Sequence, residues 1–274
     1  MGKFTNVLLI GATGSIGSVV LEAFQRDATF NLTILQRASS KSRLPNHLKI
    51  ITITDSYPIE ELTAAFRGQD VIINCMTTLS RYVFSEYGLN NMRLDAQALN
   101  SVFENKGKIE WMSISCGMWL KWAMSYDFLG MHVREQRFVF WDDGTGYFSC
   151  TTEENTAAGF LQALKVLEET KNMNVLLSDF AITQKQLLDA IERIQGVTYK
   201  TETVSSEQLI EEKQAAVRQG DGLATMALIE TGFVTGKFGG HLEKEGVILN
   251  QKLGLPERTI DEVVTNALKS VGAL

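Results

Sequence analysis

The chain has 274 residues, 45% of them hydrophobic and 21% charged, proportions that let a protein of this size bury roughly three quarters of its unfolded surface. Composition excludes a disordered, collagenous, coiled-coil or disulfide-scaffold protein. With 26 Lys plus Arg against 32 Asp plus Glu the net charge is -6, and no basic run is long enough to follow a phosphate backbone, so nucleic acid is not an expected partner.

Cys75, Cys116 and Cys150 sit among small or apolar neighbours, outside any CxxC pair and away from His at metal-ligand spacing. They read as reduced packing thiols of a cytoplasmic protein with no metal site. No apolar run approaches the roughly 18 residues of a membrane span, and MGKFTNVLLIGATG enters a strand and glycine loop where a secretory signal would be longer and more apolar.

In the first half, apolar β-type runs alternate with helical spacing, the pattern of a parallel sheet covered by helices. Strands are expected at Asn6 to Ile10, Asn31 to Gln36, Leu48 to Thr54, Asp70 to Met76 and Glu110 to Ser115. A helix is expected over Ser15 to Arg26, and Ser56, Pro58 and Glu60 suggest the start of another. In the second half, Thr151 with Glu154, Thr183 with Gln186, Ser205 with Gln208 and Thr259 with Glu262 have capping-box spacing. Arg137 to Trp141, Asn174 to Ser178 and Thr198 to Val204 are short β-type runs between them. The expected fold is α/β: an NAD(P)-binding Rossmann fold with a parallel, doubly wound sheet over 1–115, and a smaller α/β substrate-binding part over 116–274 that returns some elements to the core.

Two connections are short. A parallel crossover needs at least about 10 residues, yet Arg81 to Phe84 follows the fourth strand almost at once, and Glu110 follows Lys106 equally closely. The spacing leaves open true deletions and missing loops.

The strongest chemical signal is Gly11-Ala12-Thr13-Gly14-Ser15-Ile16-Gly17, directly after an apolar strand and before an amphipathic helix. Gly11 suits a tight turn, Gly14 admits a pyrophosphate to the backbone, and Gly17 lets helix and strand approach. The helix N-terminus adds N-H donors and partial positive charge; an ordinary glycine turn is the competing reading. After the second strand, Gln36-Arg37-Ala38-Ser39-Ser40-Lys41 stands where an NAD site carries Asp or Glu. Arg37 can grip a 2'-phosphate bidentately, with Ser39 and Lys41 adding donors, so NADPH is favoured over NADH, against the alternative of a solvated basic loop.

The Tyr-x-x-x-Lys pair of ordinary short-chain dehydrogenases is absent. By spacing alone, Lys106 reads more readily as a solvated helix-terminal Lys than as a proton donor.

GATGSIG, Gln36 to Ser40, Ser85-Glu86-Tyr87-Gly88 and Ser101-Val102-Phe103-Glu104-Asn105-Lys106 resemble the isoflavone reductase-like branch of the NmrA-like atypical short-chain reductases, its fungal members most. That family also includes phenylcoumaran benzylic ether reductases, and the likeness covers nearly the whole chain. The resemblance implies that the glycine loop and Arg37 bind NADP and that the catalytic Lys falls on Lys106, with Lys108 as the alternative; Thr77 and Thr78 complete the expected cofactor contacts. Phe84 departs from the family's usual Pro. The substrate wall is expected from Met118, Trp119, Trp122, Phe128, Met131 and His132, which offer flat and adaptable apolar surface; core packing is the competing reading, and Tyr147 and Phe148 could close the same pocket. Asp142-Asp143-Gly144 reads as a hairpin turn.

The expected function is NADPH-dependent reduction of a phenolic or polyketide-like aromatic secondary metabolite. The alternatives are an NmrA-like NADP-binding redox sensor acting through a protein partner and, more remotely, a flavin- or NADH-dependent enzyme. The expected partner is a small aromatic substrate, without nucleic acid or membrane, and a homodimer is left open.

Overall fold

The computed structural model of the chain describes residues 5–27, 29–76 and 111–274. Its contacts divide into two compact units, Met1–Ser85 and Glu86–Leu274.

The first unit contains β1 (Asn6–Ile10), α1 (Ser15–Arg26), β2 (Asn31–Arg37), β3 (Lys49–Ile53), α2 (Ile59–Phe66) and β4 (Val71–Asn74). Its four strands form one parallel sheet in the order β3-β2-β1-β4. β1 is central, and Val7, Leu8 and Leu9 are fully buried, as expected of a strand covered on both faces. The chain steps outward from β1 to β2 to β3, then returns to the other side of β1 as β4. The order therefore reverses between β1 and β4, and the glycine loop leaves the end of β1 at that switch point. α1 buries Ile16, Val20, Leu21 and Phe24 from one stripe, each worth about 1.5–3 kcal/mol relative to exposure. Another apolar cluster joins Leu8, Ile10, Leu35 and Ile53 to Leu62 and Ala65 of α2.

Strand and helix positions match the sequence expectations, and α1 does so to the residue. The start of α2 differs. Pro58, not Ser56, is its N-cap; Ser56 is spent in a turn in which Tyr57 takes a φ of 52° and donates its N-H to the Thr54 carbonyl.

In the second unit, β5 (Met112–Ser115) pairs in parallel with β9 (Met173–Leu176). β6 (Met131–His132) runs antiparallel to β7 (Arg137–Trp141), which pairs in parallel with β11 (Lys200–Val204). β8 (Tyr147–Cys150) pairs antiparallel with β10 (Phe180–Thr183). The helices are α3 (Leu120–Ser125), α4 (Glu153–Lys165), the single turn α5 (Leu167–Thr170), α6 (Gln184–Gln195), α7 (Ser206–Arg218), α8 (Gly222–Val234) and α9 (Ile260–Ser270). Three of the four expected caps are in place: Thr183, Ser205 and Thr259 each accept the N-H three residues on, and Thr183 with Gln186 closes a full capping box. The fourth is off by one. Thr152 caps α4 through the Asn155 N-H, because Thr151 is buried and its hydroxyl donates to the Leu177 carbonyl.

Asp142-Asp143-Gly144 is a turn but not a hairpin, since β7 and β8 belong to different sheets. Asp142 instead accepts the Ser206 N-H at 2.9 Å and its hydroxyl at 2.7 Å, which fastens the start of α7. The fully buried Gln184 makes three bonds at the base of α6: it donates to the carbonyls of Leu129 and Val139 and accepts the Trp141 N-H, at 2.9 to 3.0 Å. No helix among the described residues is long and apolar enough to cross a membrane.

Candidate functional site

The glycine loop is built by clearances that only glycine satisfies at two of its three positions. Gly11 has a φ of 77°, and a Cβ there would lie 3.1 Å from the Cys75 carbonyl carbon. At Gly17 a Cβ would lie 1.9 Å from the Gly11 carbonyl oxygen, so helix and loop are in direct backbone contact. Gly14 is different: it is exposed, it has ordinary φ and ψ of -76° and 174°, and a Cβ there would meet the Gly11 oxygen no closer than 3.4 Å. The protein itself does not require glycine at position 14, and the missing side chain leaves the backbone there open to the close approach of a ligand.

The Gly14 N-H bonds the Gly11 carbonyl, and the Ser18 N-H returns to the Gly14 carbonyl. This leaves the N-H groups of Ser15, Ile16 and Gly17 in the first turn without intrahelical acceptors. No acidic side chain lies in that turn, and Thr13 and Ser15 are exposed. Ile16 is buried, so it can serve a ligand only through its backbone. The cradle fits a dinucleotide pyrophosphate.

At the end of β2, Arg37, Ser39 and Lys41 are exposed, as a phosphate-binding corner requires. The Ser40 N-H bonds the Arg37 carbonyl at 3.0 Å, and the Gln36 amide donates to the Ser40 hydroxyl at 2.8 Å and to the Ser42 carbonyl at 3.0 Å. These bonds fold the segment into a compact turn. Two residues that the sequence reading passed over also belong here. Asp55 accepts the Ser39 N-H at 3.0 Å; hydrogen bonds from the Ser39 hydroxyl and N-H hold its carboxyl below the usual carboxylate range, and Arg37 adds to the effect. Tyr57 lies near both Arg37 and Asp55, its phenol raised by burial, and donates to the Met76 sulfur at 3.4 Å. The missing signal was spatial: β2 and β3 pair Arg37 with Ile53, which brings Asp55 alongside from 18 positions away.

Thr77, Thr78 and Lys106 lie outside the described residues. They follow β4 and precede β5, respectively, in the chain.

In the second unit, Met118, Phe128 and Met131 are buried in one apolar cluster, and Trp122 packs against it, edge-on to Phe128 with ring centroids 5.3 Å apart. Trp119 packs against a separate cluster and donates to the Thr156 hydroxyl at 3.0 Å. His132 is half-buried on β6, opposite Arg137. Tyr147 is exposed, whereas Phe148 is fully buried. Only Trp119, Trp122 and His132 among the six expected substrate contacts retain appreciable surface in this structure.

The segment ends in a tight clamp. Leu129 and Gly130 both have positive φ, 61° and 77°, and the Gly130 N-H donates to Glu230 at 3.0 Å. Burial raises the Glu230 carboxyl to about 7, even though the N-H groups of Gly130 and Leu129 favour its charged form. Cys75, Cys116 and Cys150 are all buried, and desolvation pushes the Cys116 thiol up to about 12, which suits packing rather than nucleophilic use.

Comparison with known proteins agrees with this geometry. Residues 7–90 match the family model described as the saccharopine dehydrogenase NADP binding domain. Over 296 aligned residues the chain is 27% identical to Oxidoreductase aprR of Aspergillus flavus, covering 96% of this chain and 98% of that protein. A crystal structure of isoflavone reductase superposes with a TM-score of 0.73 at 17% identity, covering 96% of this chain and 99% of the other. AtPrR2 with NADP+ and (+)pinoresinol gives 0.70 at 15% identity, covering 97% and 100%.

Fold and cradle together define a Rossmann-type, NADP-binding chain that is similar over nearly its whole length to proteins named as oxidoreductases and reductases. Within that class, the resemblance to the isoflavone reductase-like, NmrA-like reductases drawn from the motifs is borne out.

Proposed function

We propose that the chain is an NADPH-dependent reductase of an aromatic secondary metabolite, phenolic or polyketide-like. The observation that carries this reading is the glycine cradle: Gly17 is forced by contact with Gly11, while Gly14 is left open toward solvent at the N-terminus of α1. That arrangement suits a pyrophosphate, and exposed Arg37 at the end of β2 suits a 2'-phosphate. The bound nicotinamide supplies a hydride. The chain's own part is to hold the cofactor through the N-H groups of Ser15 to Gly17 and the side chains of Thr13, Ser15, Arg37, Ser39 and Lys41, with Thr77 and Thr78 after β4. By resemblance, Lys106 donates or accepts the proton that accompanies hydride transfer.

The aromatic substrate class is supported by likeness to proteins such as isoflavone reductase and a chain bound to pinoresinol. Trp119, Trp122 and His132, the expected wall residues with surface to offer, are its first contacts in this reading, with Met118, Phe128 and Met131 in the cluster that backs Trp122. Residues 1–115 are assigned to the cofactor and 116–274 mainly to the substrate.

The test is fluorescence titration with NADPH and NADH, followed by aromatic ketones and benzylic ethers while nicotinamide absorbance is recorded. NADPH binding with substrate-dependent loss of absorbance is expected. Tight binding without oxidation by any member of the panel would favour the sensor reading, and no binding of either dinucleotide would refute the cofactor assignment.

A further inference from the structure

The corner that receives the cofactor's ribose holds both signs of charge. NADP sites place a cation at the end of β2, and NAD sites place a carboxylate that accepts from the ribose hydroxyls. Here Arg37 ends β2, and Asp55, two residues past the end of β3, reaches the same turn. The Ala38 N-H bonds the Ile53 carbonyl at 2.8 Å, which draws the two strand ends together. Asp55 then accepts the Ser39 N-H at 3.0 Å, so that donor is engaged before any ligand arrives. Asp55 is exposed, and Arg37 lies within electrostatic reach of it, so its charge stands at the surface of the same turn.

We propose that Asp55 sets the cofactor preference of this chain, weakening a 2'-phosphate beside Arg37 and accepting from a 2'-hydroxyl, so that NADPH and NADH are both ligands. This rests on the cofactor reading above. A 2'-phosphate brings a charge of about -1.5 to -2 into the corner, where it gains Arg37 and Lys41 but meets the Asp55 carboxylate and finds the Ser39 N-H taken. A ribose diol is neutral and can donate to the same carboxylate. The low proton affinity of Asp55, fixed by Ser39 and Arg37, keeps it ionised throughout the neutral range.

The experiment compares wild type, Asp55→Asn and Asp55→Ala by fluorescence titration with NADPH and NADH, with a thermal midpoint for each variant as the folding control. Asn keeps an acceptor for the Ser39 N-H and removes only the charge. Asp55→Asn is expected to tighten NADPH about three- to tenfold, the range for relieving exposed like-charge contacts with a doubly charged phosphate, while NADH is unchanged or weaker. The gain should shrink as salt rises from low to about 0.5 M. A folded Asp55→Asn whose NADPH to NADH ratio equals wild type, or whose NADPH binding is weaker, overturns the proposal. If that ratio is unchanged in Asp55→Asn while Asp55→Ala loses both cofactors, Asp55 merely braces the turn and the proposal fails. Wild type binding neither dinucleotide is a different failure, that of the cofactor reading itself.

Discussion

Gly17 and Gly14 lie three residues apart, and the structure assigns them opposite sensitivities. In Gly17→Ala the new Cβ starts 1.9 Å from the Gly11 oxygen, and ordinary contact begins near 3.4 Å, so loop and helix must part by about 1.5 Å. Overpacking of this kind costs about 1–3 kcal/mol, offset by up to about 1 kcal/mol of helix propensity. An approach of 1.9 Å puts this case at the upper end, so the net loss of about 2 kcal/mol should lower the thermal midpoint by roughly 4–8 °C. Parting the loop also misplaces the N-H groups of the first turn. Losing one charge-assisted bond of about 1.5–3 kcal/mol weakens NADPH by roughly ten- to a hundredfold. Gly14→Ala meets only ordinary contacts, so its midpoint should stay within about 2 °C of wild type, yet its methyl group stands where the pyrophosphate must approach, and NADPH binding should fall at least as far. Differential scanning fluorimetry with and without NADPH reads both effects. A Gly17→Ala protein as stable as wild type would refute the close approach, and a Gly14→Ala protein with undiminished binding would refute the cradle.

Arg37→Glu should weaken NADPH at least tenfold more than NADH, since it replaces a bidentate phosphate partner with a repelling charge; equal losses in titration would remove Arg37 from the 2'-phosphate. Lys106→Ala should cut turnover by roughly a hundredfold or more with little change in NADPH affinity, and unchanged turnover would exclude Lys106 from the chemistry. Glu230 predicts a pH dependence of stability. Its folded carboxyl titrates near 7 against an ordinary value of 4.5, so between those limits the folded state holds a proton that the unfolded state has released, and stability falls as pH rises through that window, by up to about 3 kcal/mol. Glu230→Gln should flatten the decline in denaturation midpoints measured from pH 4.5 to 7.5; a decline as steep as wild type would place the titrating group elsewhere.

The first unit was legible because its rules are local. The unbroken apolar run Val7 to Ile10, the glycine spacing and the helical stripe Ile16, Val20, Leu21 and Phe24 each read from a few neighbouring residues. Helix starts were legible to within a residue or two: three of the four caps in the second half fell where the spacing placed them, and Thr151 lost to Thr152 only because burial gave Thr151 a different hydrogen-bond partner. What escaped was whatever depends on strands meeting in space. Asp55 acquires its meaning from the β2–β3 register, and Glu230 from its bond to the Gly130 N-H, a hundred positions earlier. The short strands β6, β8 and β10, two to four residues each, carry too few side chains to show a period. The Met and Trp segment illustrates a further limit: composition marks Met131 as a good pocket residue, but its full burial is decided by neighbours distant in the chain.

Gln184 ties this second unit together in a way that bears on how it folds. Its side chain supplies two donors and one acceptor to three backbone groups, two of them on β7 and one at the Leu129 turn. An amide alone has that combination: a carboxylate cannot donate twice, and an apolar replacement leaves three buried polar groups without partners. Helix α6 therefore cannot dock by apolar contact alone and wait for the rest, because its first residue is satisfied only when β7 and the turn are already in place. Helix, strand and turn are committed to one step, so amide exchange at Trp141 should report the opening of all three as a single unit rather than the fraying of one strand.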